Sequence, residues 1–133
     1  MSVWVFTDPP FYVLLLRRPE ARAPGWQPVT GRVEDDDASL QAACIREIRE
    51  ESALGPPLEL IDLGVESTFV GYDGATYHQR SFAARYRDPA TATVSEEHEE
   101  ARWVSVDEAR ALLRWEADRE TLRSLVAALH KMT

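Results

Sequence analysis

Residues 31–54 read GRVEDDDASLQAACIREIREESAL, and the way this stretch folds decides the rest of the chain. Leu40, Cys44 and Ile48 recur every four residues, which is the spacing of one apolar stripe on a helix. Ser39 stands where an N-cap belongs, because its hydroxyl can accept from a backbone N–H of the first turn. Ala42 and Ala43 are strong helix formers. Gly55-Pro56-Pro57 stops the helix, since proline has no N–H to give to the ladder. A helix over these residues places three carboxylates on one face. At 100° per residue, Glu50 and Glu51 fall roughly 60° and 40° to either side of Glu47. Like charges at this spacing repel by about 0.2–0.5 kcal/mol each, so something must oppose them: the neighbouring Arg46 and Arg49, bulk water, or a bound cation.

Outward from that helix, VWVF (3–6) and FYVLLLRR (11–18) flank the turn signal TDPP and read as two paired strands. WQPVTG (26–31) is a short extended segment leading into Gly31. LELIDLGVESTFVGY and YHQRSFAARYRD alternate apolar and polar residues around the turn Asp73-Gly74-Ala75, the pattern of a hairpin. ARWVSV (101–106) predicts another strand and VDEARALL a short helix opened by Asp107. Residues 117–132 form an amphipathic terminal helix with Leu122, Leu125, Val126 and Leu129 on one side. Strands interrupted by helices without regular βαβ alternation indicate an α/β fold, a mixed sandwich rather than a doubly wound sheet. With 133 residues, 44% of them hydrophobic, residues 1–133 are read as a single domain with a real core.

The formal charge of −8 argues against a nucleic-acid or acidic-membrane partner, either of which calls for a basic face. A small anionic ligand stays possible if a metal ion inverts the local field. The single cysteine, Cys44, excludes an internal disulfide. The N-terminus lacks the charged-then-apolar layout of a secretion signal, and no apolar run approaches the roughly 20 residues needed to cross a bilayer. Together these point to the cytoplasm.

Gly31, the acidic loop and Arg46-Glu47-Ile48-Arg49-Glu50-Glu51 closely resemble the Nudix box: Gly, five residues, Glu, seven residues, then Arg-Glu-aliphatic-any-Glu-Glu-any-Gly-aliphatic. Three positions depart from it. The span from Gly31 to Arg46 is one residue longer, Asp37 stands for the loop glutamate, and Ala53 replaces the glycine after the helix. The segment Trp26-Gln27-Pro28-Val29-Thr30-Gly31 resembles the WQ-x-VTG motif of the bacterial MutT-like branch that includes dihydroneopterin-triphosphate and dATP pyrophosphatases. Glu97-His98, separated by four residues from Trp103, resembles the downstream element of the same branch.

The resemblance implies a Nudix-type α/β/α sandwich with a mixed sheet. It implies an enzyme, a Nudix pyrophosphohydrolase. The reaction would be divalent-metal-dependent hydrolysis, with Mg²⁺ or Mn²⁺, of a pyrophosphate bond in a nucleoside or pterin triphosphate such as dATP, releasing a monophosphate and pyrophosphate. The alternatives are a hydrolase of dinucleoside polyphosphates or nucleotide-sugars, and a non-catalytic Nudix-fold nucleotide-binding regulator. By resemblance Glu47, Glu51 and Glu50 are metal ligands, joined by the backbone carbonyl of Thr30, which is also placed against substrate. Glu97 is the late glutamate that binds metal or takes the proton of the attacking water, with Glu47 the other candidate base. Arg46 orients a carboxylate without touching substrate. Partners are small nucleoside diphosphate-X or triphosphate molecules, and a homodimer is left open.

Other residues are weighed against plainer roles. Arg17, ending a strand, is either a phosphate contact or a surface arginine. Trp4, Trp26, Tyr77 and Phe82 include candidates for base stacking, although most aromatics are core. Glu96, Glu99 and Glu100 read as a solvated acidic loop, and His98 as structural. Cys44 reads as a small buried hydrophobe, because no histidine accompanies it.

Overall fold

Runs of β-branched and aromatic side chains form the first two strands, β1 (Ser2–Thr7) and β2 (Tyr12–Arg18), in the computed structural model of this chain. The structure describes residues 1–19, 25–71, 73–90, 92–94 and 98–132, the last by its backbone alone. β1 and β2 are antiparallel, with Phe6 opposite Val13 and Thr7 opposite Tyr12. The WQPVTG segment is extended as expected but divides at Pro28, which lacks an N–H for a ladder. Its first half, β3 (Gly25–Gln27), pairs with β2, and its second half, β4 (Val29–Thr30), pairs with β1. The chain then enters α1 (Leu40–Ser52). A long hairpin follows, β5 (Glu59–Val70) and β6 (Thr76–Tyr86), with a register shift between Asp62 and Val65. β6 lies parallel to β1, which makes the sheet mixed.

The strand expected over 101–106 is β7 (Glu100–Val104), antiparallel to β2. It stops early because Ser105 caps α2 (Val106–Leu112), its Oγ accepting from the Glu108 N–H at 3.2 Å. Ser105 thus does the work expected of Asp107. The last element is α3 (Glu116–Met132).

Alternation along the strands divides the core between the two faces of the sheet. Trp4, Phe6, Val13 and Leu15 pack with Leu113, Leu122 and Leu125 on the side of α2 and α3. Val3, Val5, Leu14, Leu16, Phe82 and Ala84 pack with Cys44 and Ile48 on the side of α1. Helices on both faces of one mixed sheet make the α/β/α sandwich. Of the terminal-helix residues expected in the core, Leu122, Leu125 and Leu129 are buried, and Val126 is half-buried.

Ser39 caps α1 as its position predicts, with the Ala42 N–H donating to its Oγ at 3.0 Å. At the other end Ala53 takes φ 62° and ψ 14°, and its N–H donates to the Arg49 carbonyl at 2.9 Å. The left-handed turn that glycine would make is therefore kept by an alanine. Holding an L-residue there costs roughly 1–2 kcal/mol, and the greater freedom of glycine in the unfolded chain offsets part of any gain from replacing it. Ala53→Gly is expected to raise unfolding stability by about 1 kcal/mol, seen as a higher urea midpoint at unchanged slope. An unchanged or lower midpoint would show that the turn is not strained.

Candidate active site

The loop between β4 and α1 is organised by Arg46. Its guanidinium donates to Asp37 through Nε and Nη2, both at 2.9 Å, to Glu47 at 2.8 Å, to Glu50 at 3.0 Å, and to the Arg32 carbonyl at 2.7 Å. The fork of donors on arginine matches a carboxylate bidentately, which is the arrangement with Asp37. The side chains of Arg46, Asp37 and Glu47 are only 12%, 7% and 13% exposed, whereas Glu50 is 52% exposed. Hydrogen bonds from Arg46 and from the Glu34 N–H hold the Asp37 carboxyl below the usual carboxylate range. The extra residue in the loop is accommodated with this pairing in place.

Gly31 begins the loop at close quarters with α1. A Cβ placed on it would overlap Cγ, Cδ and Oε2 of Glu47. The glycine is therefore required by proximity: the Glu47 carboxylate fills the space where a side chain at 31 would be. One turn further along α1 lies Glu51, 4% exposed. Its Oε1 stands 3.9 Å from His98 Nε2, and the same nitrogen is 3.2 Å from Gln27 Nε2. Burial, and then the charge of Arg18, push the His98 imidazole down to about 4, so it is neutral at pH 7.

Among the described residues no three carboxylate, imidazole or thiol groups stand together as a closed metal cage. The donors that the fold offers are oxygens, Glu51 and Glu47, the latter beside a glycine whose missing side chain leaves room for it. Hard divalent cations take oxygen ligands and keep several waters, so this set fits Mg²⁺ or Mn²⁺. Glu50, the most exposed of the three, gives its carboxylate to Arg46 at 3.0 Å, as Glu47 does at 2.8 Å. Thr30 lies half-buried at the end of β4, next to Gly31. Glu97 falls outside the described residues.

Arg17 is not brought to the α1 side. It shares a face with Trp26, 5.8 Å from the ring centroid, and pairs with Glu99 and Glu100 at 3.2 and 3.7 Å. Trp4 and Phe82 are buried in the two cores. Trp26 packs under Arg17 and Arg102, and Tyr77 stacks on Phe69 in the β5–β6 hairpin. Cys44 is buried and its thiol is pushed up to about 11, chiefly by desolvation. The residue that sequence reasoning passed over is Arg18. Strand alternation could have found it, since a tail of Leu14, Leu16 and then Arg18 puts it on the opposite face from Arg17.

The Nudix-domain profile matches residues 1–125. The chain belongs to the Nudix family. An octanoyltransferase of Myxococcus xanthus is 33% identical to this Nudix chain over 118 residues, which are 86% of this chain and 32% of that protein. The chain thus spans about a third of the length of that relative. A Listeria monocytogenes structure assigned as a NUDIX hydrolase superposes with a TM-score of 0.81 at 25% identity, over 98% of this chain and 92% of that one. The Escherichia coli dihydroneopterin triphosphate pyrophosphohydrolase gives a TM-score of 0.76 at 24% identity, over 96% and 94% of the two chains, which is a likeness of fold. No helix among the described residues is long and apolar enough to cross a membrane.

Proposed function

We propose that the chain hydrolyses a phosphoanhydride bond of a nucleoside or pterin triphosphate such as dATP, releasing the monophosphate and pyrophosphate. The observation that carries this reading is the packing of Glu47 against Gly31, with its carboxylate held by Arg46 at 2.8 Å. That arrangement fixes one carboxylate at the mouth of the loop and sets a second, Glu51, one turn behind it.

Glu47 and Glu51 would hold Mg²⁺ or Mn²⁺, with Glu50 and the Thr30 carbonyl as the further ligands. The ion, when bound, neutralises the polyphosphate and polarises a phosphoryl oxygen. Arg46 is a positioning residue: it keeps Glu47 in place and itself stays tied to Asp37. Water attacks phosphorus, its proton passes to a carboxylate, and pyrophosphate leaves with the electrons of the broken P–O bond. Glu97 is the proposed proton acceptor, with Glu47 as the other candidate. Thr30 would also contact substrate. Cys44 is buried and poorly ionised, so it takes no part as a nucleophile.

The test is product release from dATP, other nucleoside triphosphates, dihydroneopterin triphosphate, diadenosine polyphosphates and ADP-ribose, each with and without Mg²⁺. The expected result is Mg²⁺-dependent release of pyrophosphate from a triphosphate. Thermal stabilisation by a nucleotide without any turnover would instead identify a binding module.

A further inference from the structure

On the α1 side of the sheet, β2 ends in a guanidinium that no ion pair among the described residues uses. Leu14 and Leu16 point into the core beneath α1, and alternation places Arg18 on the same face. Gln27 pairs with Leu16 in the ladder and reaches His98 on that face. His98 Nε2 in turn is 3.9 Å from Glu51. Arg18 is half-buried, and its Nε is buried with no hydrogen-bond partner among the described residues.

The contrast with its neighbours is informative. Arg17, Arg46 and Arg102 each stand within 4.0 Å of at least one carboxylate, and Arg32, Arg49, Arg87 and Arg114, which have none among the described residues, are exposed to water. Arg18 has no carboxylate partner among the described residues, in a chain whose net charge is −8. A guanidinium partly removed from water without a counter-charge is costly unless an anion completes it. Its planar fork fits phosphate oxygens bidentately, which a lysine cannot reproduce.

We propose that Arg18 is a substrate-binding residue that grips the polyphosphate of the ligand on the α1 face, beside Glu51 and His98. The inference rests on the reading of this site as one for a polyphosphate. It shifts the anion contact from Arg17, whose guanidinium is committed to Glu99 and Glu100, to the next residue on the opposite face. Because the contact is to phosphate, it favours ligands by the length and charge of their phosphate chain and is indifferent to the base.

The probe is inorganic tripolyphosphate with Mg²⁺, its dissociation constant measured by calorimetry on the full chain, alongside dATP kinetics. Arg18→Gln is expected to weaken tripolyphosphate binding about tenfold or more, the scale of losing one charge-assisted bidentate contact, and to raise KM for dATP more than it lowers kcat. Arg17→Gln should leave both near wild type. Arg18→Lys, which keeps the charge and loses the fork, should fall between, and it stands in if Arg18→Gln does not fold. A lower Tm with unchanged tripolyphosphate affinity in these variants would mean a structural role and would overturn the proposal, as would a wild-type chain that does not bind tripolyphosphate. A wild type that binds tripolyphosphate through Arg18 but turns over no substrate would leave this inference standing and remove the hydrolase reading.

Discussion

Gly31→Ala is expected to cut turnover by about 100-fold or more, while circular dichroism and Tm stay close to wild type. The methyl group would overlap Cγ, Cδ and Oε2 of Glu47. These atoms are the free end of a flexible side chain, so the fold survives by swinging the carboxylate aside. The shift is of ångström size, and misplacing a reacting group by roughly 1 Å costs on the order of 100-fold. The Arg46–Glu47 hydrogen bond of 2.8 Å would be lost or bent at the same time. Mn²⁺ affinity, read by electron paramagnetic resonance, should weaken in parallel with kcat. A variant that keeps wild-type turnover and Mn²⁺ affinity would show that Glu47 does not serve as a ligand. The contrast with Ala53→Gly is useful, because that change concerns backbone conformation and is expected to alter stability without touching the carboxylates.

Glu51→Gln carries the second large effect. The substitution preserves shape and removes one charge from a side chain that is 4% exposed. If Glu51 holds the metal ion, turnover should fall by roughly two to three orders of magnitude, the scale of deleting one preorganised group at a reacting centre, with Mn²⁺ affinity lower as well. Glu50→Gln is the natural comparison, because Glu50 is 52% exposed and hydrogen-bonded to Arg46. Its loss should be milder, since Arg46 keeps Asp37 and Glu47 as partners. Near-normal rates in Glu51→Gln, or equal losses in the two variants, would displace Glu51 from the proposed ligand set.

Much of the site is written in local spacing. The i,i+4 relation of Glu47 and Glu51, the Ser39 cap and the Gly31-to-Arg46 loop are properties of neighbouring residues, and local rules govern them. The length of the loop was harder to read. One extra residue and an aspartate in place of glutamate blurred the pattern, yet the reach of an arginine side chain absorbs both, and Arg46 meets Asp37 with two bonds of 2.9 Å. The wheel also treated Glu50 as a third tooth of the clamp. The i,i+4 spacing from Arg46 equally allowed an ion pair with that carboxylate, and the pair forms at 3.0 Å.

By itself the sequence determined the elements and the mixed α/β class, because helix period, strand alternation, caps and turn residues act over a few positions, and its resemblance to the Nudix box marked the loop-helix unit. Only the tertiary structure decided which side chains from distant strands meet α1. Pairing between β2, β3 and β7 brings Gln27 to His98 and His98 to Glu51, and it turns Arg17 to Trp26 and Glu99 on the far face. A strand has two faces, and a shift of one residue exchanges them. Which face looks toward α1 is set by the packing of the whole sheet between its two helical layers.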